Sequence, residues 1–238
     1  MPVSAAPWFH ADMEDHWDDP RTDRLGALLD QFDFAREMAQ ARLGGLASPA
    51  SLPKGASLDP RAGDGPLTDE QYLWEPAPGA WSLRRRGQAV SPRPFGPGEW
   101  QLDRAIGDPD PTPVTTIAWR LGHLHLDFAG TWEWTFGERR RPPAELVDFS
   151  PSAAVALERF WATVDRWRSS VAAVTDEQLD TVGFCQYPWS DAAEMPFITV
   201  VWSSNLEFIH HMAEIALLRD LFRWGGGRWR AGGNRGRP

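Results

Sequence analysis

The stretch "NLEFIHHMAEIALLRDLF", residues 205–222, decides how this chain is read. Most of it is apolar at helical spacing, which predicts one helix from about 197 to 224, with Pro196 at its start and Gly225–Gly227 after its end. A helix turns about 100° per residue, so with Glu207 at zero His211 falls roughly 40° to one side and Glu214 roughly 20° to the other. All three then share an arc with Val200, Leu218 and Phe222, while Asn205, Met212 and Arg219 fall on the far side and His210 near the edge. If that arc is buried, its carboxylates need partners, because an unpaired buried charge costs on the order of several kcal/mol. Two arrangements answer this. A hydrogen-bonded Glu–His pair can tie two helices together, or Glu207 and His211, one turn apart on one face, can hold a divalent metal.

Three more long helices are predicted. Leu25, Leu28, Leu29, Phe32, Ala35, Ala39 and Leu43 give the first, about 24–46, capped by Thr22 or Asp23 and ended by Gly44–Gly45. The second, "TTIAWRLGHLHLDFAGTWEWTF" (115–136), has Thr115 as its cap and Gly137 as its stop. The third, about 152–174, carries the stripe Leu157, Phe160, Trp161, Val164, Trp167, Val171 and Val174. Residues 48–113 form a long Pro-, Gly- and Arg-rich insertion. Within it "LTDEQYLWEPAPGAWSL" (67–83) predicts a short capped helix and then an ordered loop, and "VTDEQLDTVG" (174–183) repeats the capping pattern. Four long amphipathic helices without alternating strands predict an all-α fold, a four-helix bundle, whose sites are built from inward-facing side chains. The expected layout is an N-terminal extension (1–20), the bundle domain (21–225) and a Gly/Arg-rich tail (226–238) without an apolar period.

The second helix strengthens the metal alternative. His123 stands mid-helix in apolar surroundings, with Asp127 one turn on and on the same face. An antiparallel packing of the second and fourth helices would set His123 against Glu207 and His211. Two imidazoles and a carboxylate are an open set for zinc, iron(II) or nickel. His125 points elsewhere. Trp119, Trp132 and Trp134 either line a small-molecule pocket or pack the core, and Arg120 and Arg219 read as ion-pair residues or contacts for an acidic cosubstrate.

The chain of 238 residues is 42% hydrophobic and carries a net charge of −9, which argues against nucleic acid or an anionic membrane surface as its partner. Its single cysteine, Cys185, allows no intrachain disulfide and reads as an incidental buried thiol. No apolar run reaches the length of a membrane span, and no basic-then-apolar leader opens the chain, so a cytoplasmic location is expected.

"TTIAWRLGHL" (115–124) and "NLEFIHHMAEIALLRDLF" (205–222) together resemble the two signature helices of the DinB-like superfamily, in the form common among actinobacteria. "LTDEQYLWEPAPGAWSL" and "GPGEWQLDRA" (96–105) fit the same resemblance, which spans most of residues 20–224. It implies an up-up-down-down bundle, often a homodimer, with a divalent metal held by one histidine of the second helix and two of the fourth. His123 and His211 match two of these positions; Glu207 stands where the third histidine is usual, which leaves a two-His, one-Glu site or a metal-free Glu–His network. Asp127, His210 and Glu214 are the neighbours that would support the ligands. Several members use mycothiol, bacillithiol or glutathione as transferases or isomerases. The implied function is a metal-dependent transfer or isomerisation that uses a low-molecular-weight thiol, mycothiol-type, on a small electrophile. The alternatives are a metal-dependent hydrolase, a non-catalytic small-molecule-binding or stress-associated protein, and a structural dimer with a polar buried pair.

Overall fold

The computed structural model describes residues 24–44, 65–104, 113–188 and 190–226. The expected N-terminal extension, residues 227–238 of the tail, and residues 48–64 and 105–112 of the insertion lie outside them, as do Thr22 and Asp23. The chain divides into two compact units, 1–66 and 67–238. The first contributes one described helix, α1 (Arg24–Gly44), in which Phe32, Ala39 and Leu43 are buried.

In the second unit the two Thr-Asp-Glu-Gln signals start two short helices, α2 (Asp69–Leu73) and α5 (Asp176–Asp180). At each start the threonine hydroxyl accepts from the glutamine N–H while the glutamine side chain accepts from the threonine N–H, satisfying two otherwise orphaned donors. Asp69 also accepts the Ala153 N–H at 2.7 Å, at the start of another helix. The segment predicted as loop after α2 contains an antiparallel ribbon, β1 (Leu83–Arg85) with β2 (Trp100–Leu102), with Leu83 opposite Leu102. Both of these leucines are buried.

The long helices are α3 (Ile117–Thr135), α4 (Ala153–Val171) and α6 (Phe197–Leu221). Thr116, rather than Thr115, caps α3: its hydroxyl accepts the Trp119 N–H at 3.1 Å. Thr115 is instead spent on a parallel bridge to Trp81. Helix α3 packs on both α4 and α6. His125 meets Thr163 and Trp132 meets Ser170, so α3 and α4 run in the same direction. Phe128 meets Phe208 and Phe136 meets Phe197, so α6 runs against α3. The up-up-down-down order sets the second and third long helices in opposite directions, and here they are parallel. The connection 136–152 is long enough to return the chain along the 19-residue α3 before α4 begins.

Phe128, Phe160, Trp167, Phe197 and Phe208 are fully buried and meet edge-to-face or stacked where the three helices converge. The fold is all-α apart from the ribbon. Among the described residues no helix is long and apolar enough to cross a membrane.

Helix α6 is apolar on nearly every side, and its burial differs from the wheel reading. Asn205, Met212 and Arg219 are buried, with Phe208 and Ile215 between them, so the predicted far side is the core face. Glu207 and Glu214 stand at the margin of that face and His211 is buried on its flank. Periodicity could not choose the face, because Trp202, Leu206 and Leu217 are apolar and exposed while Asn205 and Arg219 are polar and buried.

Candidate metal centre

The antiparallel crossing of α3 and α6 brings three predicted residues together. His211 Nε2 lies 3.1 Å from Glu207 Oε2, and His123 Nε2 lies 3.7 Å from the same oxygen. One donor atom from each of the three falls within 4.8 Å of the others. Two ligands of one tetrahedral zinc ion, each bonded at about 2.0–2.1 Å, are about 3.3 Å apart. The two separations from the Glu207 oxygen lie either side of that value, the whole set stays within 4.8 Å, and the two-nitrogen, one-oxygen set suits a borderline divalent ion. The residues therefore fit a metal.

The protons are arranged to suit it as well. Glu214 Oε2 is 2.6 Å from His211 Nδ1 and 2.8 Å from an Arg120 nitrogen. A carboxylate only accepts, so His211 donates Nδ1–H to Glu214, and Arg120, which also only donates, spends its hydrogen on Glu214 rather than on the ring nitrogen 3.2 Å away. That leaves His211 Nε2 to face Glu207. A carboxylate behind a histidine, fixing its tautomer and turning its second nitrogen forward, is the usual support for a metal-bound imidazole. Glu214 is thus a positioning residue, and Arg120 holds it. His210 stacks on the His211 ring with centroids 5.0 Å apart but is exposed, and its nearest acidic partner is Glu214 at 3.4 Å.

His123 is set from the other side. Its ring stacks on Trp119, one turn earlier, at 5.1 Å and nearly parallel, and meets the His211 ring edge-on at 4.8 Å. Trp119 is itself pinned, donating its indole N–H to the Asp103 carbonyl at 2.7 Å. Asp103 is fully buried and its carboxylate accepts the backbone N–H groups of Ser82, Val90 and Ser91, with Arg84 alongside. One aspartate thus gathers the ribbon and its loops and delivers a carbonyl to the tryptophan that backs His123. Sequence reading missed it; its only trace is an acid directly after the alternating "WQL".

The electrostatics follow from this packing. The two imidazoles, His123 foremost, hold the Glu207 carboxyl well below the usual carboxylate range against the opposing effect of burial. Asp127, one turn beyond His123, is pushed the other way, up to about 6, mainly by burial, with the Glu207 charge adding to it and the two histidines opposing. Asp127 lies outside the three-residue cluster. His125, as predicted, faces elsewhere: it contacts Thr163 at 2.9 Å, and burial together with Arg159 and Arg166 lowers it to about 4. Of the three tryptophans offered as pocket lining, Trp119 alone touches the site; Trp132 donates to Ser170 and Trp134 to the Arg141 carbonyl. Cys185 is buried, and burial raises its thiol.

Glu207 and His123 remain about two-fifths exposed, so the three donors open to solvent on one side. Residues 92–215 match the DinB superfamily family model, over half of the chain and inclusive of His123, Glu207, His211 and Glu214. No curated protein and no solved structure matches. The chain belongs to the DinB superfamily.

Proposed function

We propose that this protein is a metal-dependent enzyme that joins a low-molecular-weight thiol of the mycothiol type to a small electrophile, by S-transfer or by thiol-assisted isomerisation. The observation that supports it is the convergence of His123 Nε2, Glu207 Oε2 and His211 Nε2 on one point, with His211 held in the ligating tautomer by Glu214. A divalent ion of zinc, nickel or iron held there would supply a lowered pKa for a bound thiol or water, and so a nucleophile near neutral pH. His123, Glu207 and His211 would hold that ion and leave a solvent-facing side open. Arg120 and Glu214 fix the imidazole, and Trp119 forms the apolar wall behind His123. The thiol, rather than water, as nucleophile rests on the resemblance of the two signature helices to thiol-dependent members; metal-assisted hydrolysis is the reading if water takes its place. In this proposal the protein works in the cytoplasm as a homodimer, on a small molecule rather than on nucleic acid or membrane.

One observation favours a second, non-catalytic reading. Glu207 already lies against both imidazoles, so with protons on the two Nε2 atoms in place of a metal the cluster forms a structural Glu–His network. Elemental analysis of untagged protein separates the two. Stoichiometric zinc, nickel or iron in the wild type and its loss in His211→Ala is the expected result. Absence of metal together with failure to take up any of the three ions refutes the enzyme reading. With metal present, consumption of mycothiol alongside a panel of electrophiles tests the thiol, and hydrolysis of activated esters in its place would assign water.

A further inference from the structure

Helix α6 has the composition of a helix buried on all sides, yet one of its faces is bare. Trp202 is 53% exposed, Leu206 49% and Leu217 58%, with Ile209 and Leu221 also exposed. At about 100° per residue these five positions and the exposed Ala213 share an arc of roughly 120°, running about 28 Å along the helix. The arc lies well away from the core face of Phe208, Met212 and Ile215, and Glu207, His211 and Glu214 occupy the strip between the two. Trp224, 77% exposed in the terminal turn, prolongs the ridge. Its polar members are few: His210 stands toward one edge, and Asp220 is half-buried and already engaged within the chain.

Contiguous apolar patches of several hundred Å² mark interaction sites. The large side chains of this ridge leave on the order of 500 Å² of apolar surface bare. A standard interface takes about 800 Å² from each partner, roughly 60% of it apolar, so the ridge supplies the apolar share that a stable pair needs. Its pattern also fits a copy of itself. Ile209 and Leu217 stand four residues either side of Ala213, Leu206 and Leu221 seven and eight, and Trp202 and Trp224 eleven. A ridge that reads nearly alike in both directions from one small residue is complementary to itself turned end for end, as a twofold interface requires. Turned so, Ile209 of one copy meets Leu217 of the other, Trp202 meets Trp224, and the short side chain of Ala213 on the axis lets the two backbones approach. The opposed helix dipoles favour the same arrangement.

We propose that a second copy of this chain covers the ridge, the two α6 helices crossing antiparallel with Ala213 at the twofold axis. The inference rests on the homodimer of the proposed function and assigns its surface; it does not depend on the metal.

The test is sedimentation equilibrium of the full chain, with helical circular dichroism and melting to confirm folding. The wild type should be a dimer. Leu206→Glu or Leu217→Glu should raise the dissociation constant by about 100-fold or more, because twofold symmetry buries each new charge twice. Val182→Glu, at an apolar side chain 59% exposed outside α6, should leave the dimer intact. Under mild oxidation Ala213→Cys should cross-link two chains, while the wild type, with its buried Cys185, should not. Ile209→Cys should not cross-link to itself, since the two copies of that position lie about 12 Å apart along the crossing, beyond the reach of about 7 Å that a disulfide allows. A monomeric wild type would overturn this proposal together with the homodimer of the proposed function. A dimer that survives both glutamate substitutions would overturn the ridge alone, and cross-linking at Ile209→Cys as efficient as at Ala213→Cys would overturn the antiparallel crossing.

Discussion

Replacing Asp127 by asparagine should stabilise the metal-free protein, and by an amount that depends on pH. In the folded chain the Asp127 carboxyl is raised from 3.8 to about 6, chiefly by burial. A raised acid binds its proton more tightly when folded, so the penalty is absent below the unfolded value, grows between about 4 and 6, and is constant above. Two units at 1.36 kcal/mol each set an upper bound of about 3 kcal/mol at pH 7.5, falling to about 1 kcal/mol at pH 4.5. Asparagine keeps the shape and loses the charge, and no hydrogen bond among the described residues is broken by the change. For a chain of this size the gain corresponds to roughly 2–4 °C per kcal/mol in melting temperature. Thermal melts of both proteins with excess chelator at the two pH values check it. Metal should shrink the gain, because a cation beside Asp127 favours its charged form. A gain equal at both pH values, or a loss at pH 7.5, would refute the assignment of Asp127 as a strained carboxylate.

Glu214→Ala should lower metal affinity by about 10- to 100-fold without unfolding the chain, since it removes the acceptor that orients His211; competition against a chromophoric chelator measures this, and unchanged affinity would remove Glu214 from the site. Asp103→Ala strands three backbone N–H groups and should cost roughly 3–5 kcal/mol in denaturant unfolding; a loss below about 1 kcal/mol would show that water replaces the carboxylate. Gly130→Ala should cost about 1–3 kcal/mol by overpacking against Tyr187 and become neutral in a Tyr187→Ala background; additive effects would mean the ring does not sit there. Acidification should weaken the site as Glu207 is protonated: its depressed carboxyl contributes stability above the ordinary carboxylate range and loses it as pH falls through the folded value. In Glu207→Gln that acid-limb loss should disappear from the melting profile.

The helices and several of their ends were legible because they depend on local rules. The two Thr-Asp-Glu-Gln boxes, the stripe Phe160–Val164–Trp167–Val171 and the apolar run of α6 each specify a helix through neighbours a few residues away. The grouping of His123, Glu207 and His211 was foreseeable for the same reason: Glu207 and His211 are one turn apart, and His123 needed a single assumption, an antiparallel crossing. The face of α6 was not legible, because apolar residues surround it and the polar Asn205 and Arg219 are taken inside. The ribbon and its keeper Asp103 were missed because their bonds join residues 12 to 34 positions apart with no repeating pattern.

By itself, then, the sequence determined the all-α character and the residue types available for a metal, with Glu214 three residues after His211 offered as a supporting neighbour. The tertiary structure alone decided which side of α6 is core, that α3 and α4 run parallel, and that Tyr187 packs against Gly130. The division has a physical cause. Helix formation and i, i+4 pairing are fixed by contacts within one turn, whereas burial, helix direction and the company of a buried carboxylate are set by which distant surfaces pack together.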